Sequence, residues 1–276
     1  EVLVPDPGYL ANTIDPSALG AKAVEVPQSE ENRFALDISA FENRLSSRTK
    51  MVILTYPNNP TGTVYSSDEI RALCQFVIKH NLILLCDCAF DACIFDGKEL
   101  LWPAAEPGMW QRTVSVFTVS KAWGLCGLRV GYMVADTPIL DAILGKIPAL
   151  MGCVSSIVQA GAAAALQDEA LLHQYNDRLA KRRDWTYAQL CNVPGIKVLL
   201  PDAGIQFWIN VSALGDAVKI VRYLKEKAGV QVNNGSAFGT YGGKGHVRLV
   251  FGCINSEMEY RTAINRFCDA LKKYTD

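Results

Sequence analysis

Lys121 follows an apolar run that ends in hydroxyls (residues 115–120) and precedes a glycine-punctuated stretch, Ala122-Trp-Gly-Leu-Cys-Gly-Leu-Arg129-Val-Gly131. A lysine at the end of a buried strand loses the hydration that favours its ammonium form. Its pKa falls, and the free amine can attack a carbonyl. Arg129 would oppose the ammonium form further and could hold an anionic group. The chemistry this pair suggests is Schiff-base formation; the plainer alternative is a lysine solvated at a loop.

Three more positions place polar groups where apolar ones are expected. Asp87 terminates the apolar run 82–86, where a carboxylate needs a partner to offset desolvation. It suits a protonated ring nitrogen, or equally a helix cap. Tyr56-Pro57-Asn58-Asn59-Pro60-Thr61-Gly62 directly follows a strand, and its prolines and glycine force a rigid turn. Ligands of open α/β sheets sit beyond the carboxyl ends of the strands, so an asparagine amide held there can bond one, unless the turn is only a turn. Arg248 interrupts an apolar strand, His246-Val-Arg248-Leu-Val-Phe251, just after Gly235-Ser-Ala-Phe-Gly239. Its guanidinium is a natural fork for a carboxylate, or one half of a structural ion pair.

The elements that must position these residues read as an α/β fold. Val2-Leu-Val4, Met51–Thr55, 82–86, 115–118 and 130–134 are strands, most of them apolar on both faces, as in a mostly parallel sheet flanked by helices. Between the second and third, Ser66 and Glu69 form a capping box, and Ile70, Leu73, Cys74 and Val77 share one helical face. Asn81 supplies the stop. Strand, helix and strand in this order make a parallel crossover. Beyond Pro138 the pattern turns helical. The rest (strands at 196–200, 205–209 and 246–251, helices near 216–228 and from Ser256) reads as a smaller α+β C-terminal domain. The expected division is 1–167 for the large domain, 168–190 for an interdomain helix and 191–276 for the small domain.

The 27 basic and 28 acidic residues nearly balance, which gives no nucleic-acid surface. Nine cysteines without a framework indicate a reducing, cytoplasmic compartment. Cys86, Cys88 and Cys93 fit no zinc spacing, so they read as buried or half-buried thiols and no metal is expected. Residues 147–166 carry no charge, but Pro148, Gly152, Gly161 and several alanines make them a loop entering a buried helix, not a membrane span. The run Gly242-Gly-Lys244-Gly lacks the Ser/Thr of a P-loop, and Gly124 to Gly131 lacks a dinucleotide fingerprint. The chain opens Glu1-Val-Leu-Val-Pro without methionine, so an N-terminal part is expected to be missing, with any targeting segment it carries.

Asn59-Pro-Thr-Gly, the strand-end Asp87, Ser120-Lys121 with Arg129 eight residues on, Gly-Ser-Ala-Phe-Gly and the late Arg248 resemble, in order and spacing, the class I/II aminotransferases. These are fold-type I enzymes dependent on pyridoxal 5'-phosphate (PLP). The resemblance runs from about Tyr9 to the C-terminus and takes in Ser155-Ser156 and Gln159-Ala-Gly-Ala-Ala as a helix start. It implies that Lys121 forms the internal aldimine and shuttles the substrate proton, while Asp87 pairs with the ring nitrogen. Asn59 would bond the ring 3-oxygen and, with Arg248, serve the substrate; Arg248 would take its α-carboxylate. Thr118 and Arg129 would bind the phosphate, and Tyr9 would stack on the ring. Implied too are transamination between an L-amino acid and a 2-oxo acid, and a homodimer with a shared site. The alternatives are decarboxylation, elimination or oxidation on the same cofactor, or an inactive truncated relative serving as a dimerisation module. No arginine near Ser155 supports a strict dicarboxylate preference.

Two departures stand out. The family's glycine-rich phosphate loop and the tyrosine lent across the dimer belong to a region upstream of this chain. And Phe90 occupies a position where relatives carry a tyrosine that donates to the 3-oxygen. With that donor gone, the aldimine pKa should be higher than in tyrosine-containing relatives, and Phe90→Tyr should lower it. Titrating the cofactor absorbance of both proteins checks this; an unchanged or higher pKa in the variant counts against it.

Overall fold

The computed structural model describes residues 1–146 and 152–275. Six strands form one sheet: β1 (Val2–Asp6), β2 (Ala23–Pro27), β3 (Met51–Thr55), β4 (Ile83–Asp87), β5 (Thr113–Thr118) and β6 (Gly131–Ala135). Their order is β2-β1-β3-β4-β5-β6. The first five run parallel and β6 returns antiparallel to β5. The register sets Thr55 beside Asp87 and Asp87 beside Val116, so their side chains gather at the carboxyl edge.

Helix α1 (Ala11–Ala18) joins β1 to β2, α2 (Ile38–Arg44) leads to β3, and α3 (Ser67–Lys79) crosses from β3 to β4. The capping box predicted for α3 is present: Ser66 Oγ accepts the Glu69 N–H, and Glu69 Oε2 accepts the Ser66 N–H at 2.8 Å. Losing such a cap costs about 1 kcal/mol. Ile70, Leu73, Cys74 and Val77 are buried as their spacing requires, in one core with Leu3, Val52, Leu54, Leu84 and Cys86. Each large side chain so buried contributes roughly 2 kcal/mol. Asn81 follows the helix with φ +50°, a left-handed residue that ends it.

Beyond the first sheet come α4 (Thr137–Leu144), α5 (Ser156–Leu166) and the 22-residue α6 (Glu169–Leu190). Four antiparallel strands make the second sheet: β7 (Lys197–Val198), β8 (Gln206–Asn210), β9 (Asn233–Asn234) and β10 (His246–Val250), in the order β7-β8-β10-β9. Helix α7 (Ala217–Tyr223) and the C-terminal α8 (Glu257–Lys273), capped by Ser256, pack on it.

Two buried arginines tie α6 to its surroundings. Arg183 forks onto Asp96 at 2.7 and 2.8 Å and lies over the Phe95 ring. Arg182 pairs with Glu257 at 2.8 Å and donates to the carbonyls of Phe251, Ile254 and Asn255, just past β10. Buried guanidinium is tolerable only when its donors are used this fully.

The structure departs from the sequence expectations in several places. Strands β4 and β6 begin one residue later than expected, and the strand at 196–200 shrinks to Lys197–Val198. β2 was not foreseen, because Glu25 breaks its apolar run at the sheet edge. The Ala-rich α5 is not a buried helix: only Ala162 and Ala165 are covered, and Ile157 is 83% exposed. Residues 147–151, where the preceding loop was expected, lie outside the described residues. Cys86, Cys88 and Cys93 are buried free thiols, whereas Cys126, Cys153, Cys191 and Cys253 are exposed ones. No helix among the described residues is long and apolar enough to cross a membrane.

Asp91, in the turn after β4, has a buried Oδ1 without a hydrogen-bond partner, and burial pushes its carboxyl up to about 6. Below about pH 4, folded and unfolded chains both hold this proton. Between about pH 4 and 6 the unfolded chain releases it first, so stability falls as pH rises and levels off above. Asp91→Asn should therefore match the wild type near pH 4 and exceed it above pH 6 by about 3 kcal/mol. Denaturant melts at both pH values check this; a difference independent of pH contradicts it.

Candidate active site

Asp87 closes β4 with its carboxylate half-buried at the sheet's carboxyl edge. Burial raises its pKa; the Ala89 N–H (3.1 Å to Oδ1), the Thr55 hydroxyl (3.4 Å to Oδ2) and the charge of Lys121 act the other way. Asn12 Nδ2 in turn donates to Thr55 Oγ1 at 3.0 Å. This chain of donors aims the carboxylate and favours its charged form. Asp87 makes no ion pair among the described residues, so it is an acid shaped to meet a cation.

Asp87, Asn12 and Val116 share a cavity of about 580 Å³ with Tyr9. Tyr9 is carried by the segment leaving β1, and that segment is clasped from the other sheet. Buried Asp6 accepts the N–H groups of Tyr241 (2.8 Å) and Gly242 (2.9 Å), and Gly8 donates to the Phe238 carbonyl at 2.8 Å. Gly239 has φ +151°, and a Cβ there would lie 1.9 Å from the Asp6 carboxylate. The glycine is required by this close approach.

Lys121 stands three residues past β5, half-buried, and its side-chain amine makes no hydrogen bond or ion pair among the described residues. Around it, Thr118 Oγ1 accepts the Ser120 N–H at 3.1 Å and lies 3.0 Å from the Val130 carbonyl, next to Arg129. Arg129 adopts φ +54° and donates to the Cys126 carbonyl at 2.8 Å from an exposed turn. Gly131 allows the return strand to approach, since a Cβ would meet the Phe117 carbonyl oxygen at 2.4 Å.

Arg248 reaches from β10 across to the first sheet. Its Nη1 donates to Asn59 Oδ1 at 3.0 Å, joining residues 189 positions apart. Nε and Nη2 both donate to Asn233 Oδ1, at 3.2 and 2.9 Å. The guanidinium lies 4.4 Å from the centre of the Phe238 ring. Burial lowers its pKa, yet an arginine stays charged throughout the working pH range.

The structure thus joins Asn59 to Arg248, sets Tyr9 and Asp87 on one cavity, and places Lys121 within electrostatic reach of Asp87. It does not bring Arg129 into contact with these groups, and Phe90 packs into the core with Cys93, Ala122 and Leu179, not on that cavity. Sequence reading missed Asn12, Thr55, Asp6, Phe238 and Asn233. Only Thr55 carried a local signal, a hydroxyl ending an apolar strand.

A family profile described as Aminotransferase class I and II matches residues 1–267. An aspartate aminotransferase from Musicola paradisiaca is 32% identical over 87% of this chain, which spans 60% of that relative's length. One from Pyrococcus horikoshii is 30% identical, over 99% of this chain and 69% of the relative. The crystal structure of an aromatic aminotransferase from Pyrococcus horikoshii superposes with a TM-score of 0.92 at 27% identity, covering 99% of this chain and 72% of that one. Fold and sequence agree over the match: this chain belongs to the class I and II aminotransferase family.

Proposed function

We propose that this protein catalyses PLP-dependent transamination between an L-amino acid and a 2-oxo acid. The observation that carries the reading is that Lys121, whose amine makes no hydrogen bond or ion pair among the described residues, lies within electrostatic reach of the half-buried carboxylate of Asp87, which shares a cavity with Tyr9. Family members are PLP-dependent, and this donor set fits that group: an amine for its carbonyl, an acid for its ring nitrogen, and Tyr9 for its ring face. When bound, PLP supplies an electron sink for the electron pair left as a bond to the substrate Cα breaks.

The chain's own residues then divide the work. Lys121 would hold the cofactor through Nζ; once the substrate amine has displaced it, the freed Nζ would be placed to take the Cα proton and return it. Asp87, oriented by Thr55 and Asn12, keeps the ring nitrogen protonated. Asn59 commits its oxygen to Arg248, which leaves its NH2 to donate to the ring 3-oxygen. Thr118 and Arg129 would serve the phosphate and Arg248 would take the substrate α-carboxylate, whereas Phe90, packed in the core, lies off the cavity shared by Asp87 and Tyr9. On this reading the chain divides at 1–167, 168–190 and 191–276, and the active unit is a cytoplasmic homodimer, consistent with nine free thiols.

The test is to load the protein with PLP and supply single L-amino acids. Loss of the cofactor's visible absorbance with one 2-oxo acid formed per site is expected. Release of carbon dioxide, or of free ammonia even with an oxo acid, would assign another PLP reaction instead, because transamination leaves the nitrogen on the cofactor.

A further inference from the structure

We infer that Asn233 is a positioning residue that turns Arg248 end-on to the substrate carboxylate without cancelling its charge. The inference rests on the reading of Arg248 as the carboxylate anchor. In the pairing of β9 with β10, Asn233 lies directly opposite Arg248, so the two side chains share a face. Its single Oδ1 accepts from both Nε and Nη2. That side of the guanidinium, one of the two forks open to a carboxylate, is therefore filled. Asn59 takes one N–H of Nη1.

A guanidinium has five N–H donors. With three engaged, one remains on Nη1 and one on Nη2. Two parallel N–H groups on the terminal nitrogens are what a single carboxylate accepts as a fork. Phe238 beneath the guanidinium holds its plane. Both partners that fix the fork are amides. A carboxylate in place of either would orient Arg248 equally well but would pair with it, leaving less charge for the substrate.

Asn233→Ala in the PLP-loaded protein should raise KM for the amino acid and for the oxo acid roughly tenfold, with kcat changed by less than about twofold. Its affinity for butanoate, read by calorimetry, should weaken by the same factor. Asn233→Asp should raise KM more than Asn233→Ala at neutral pH, because the new carboxylate, held ionised by the guanidinium, pairs with Arg248. Unchanged KM in Asn233→Ala, or a KM in Asn233→Asp no higher than in Asn233→Ala, overturns the inference. Arg248→Lys shows which reading has failed. If it raises KM while the Asn233 variants do not, the positioning role alone is wrong. If neither substitution raises KM, the assignment of Arg248 falls as well.

Discussion

Replacing Lys121 with alanine is expected to lower kcat roughly 10,000-fold while leaving the fold intact, because proton transfer by a positioned group contributes up to about that factor. The side chain is half-buried and makes no hydrogen bond or ion pair among the described residues, so its loss leaves no buried partner stranded. Asp87 and Cys93 both lose the charge of Lys121, and Asp87 should hold its proton more tightly. Added methylamine should restore part of the rate, since a free amine can accept the Cα proton in place of Nζ. Unchanged thermal stability with the rate lost identifies a chemical role; normal turnover by Lys121→Ala contradicts it.

Arg248→Ala should cost about 3 kcal/mol in kcat/KM, roughly a hundredfold, for substrates that carry an α-carboxylate. The guanidinium is partly desolvated over Phe238 and held by two amides, which strengthens each remaining charge-assisted bond. Amino acid amides, which lack the anionic oxygens, should be slow with the wild type and no slower with the variant. Comparing kcat/KM for an amino acid and its amide in both proteins measures this directly. Equal losses for acid and amide would show that Arg248 supports the fold and does not read the carboxylate.

Residues that violate their surroundings were legible in the sequence. Asp87 and Arg248 place strong polar groups at the end and in the middle of apolar strands, and Asn59 sits in a rigid turn just past β3, which sets all three apart. Ser66 with Glu69, and Asn81, were legible because capping is local. Asn233 and Asn12 were not, because their roles exist only in the folded register: Asn233 matters by lying opposite Arg248, and Asn12 by reaching Thr55 from another element. Asp6 gave no signal for the same reason, its two donors lying 235 and 236 positions away. The burial of α5 was misread because an Ala-rich helix without charges has no polar face to say which side is covered.

Reduction of the PLP-loaded protein with borohydride, followed by peptide mapping, tests the Schiff-base assignment at its source. The reduced bond is permanent, so the labelled peptide records which amine held the cofactor. The expected result is one pyridoxyl group per chain, carried by Lys121. A label on another lysine, or a loaded protein that yields no labelled peptide, would contradict the account.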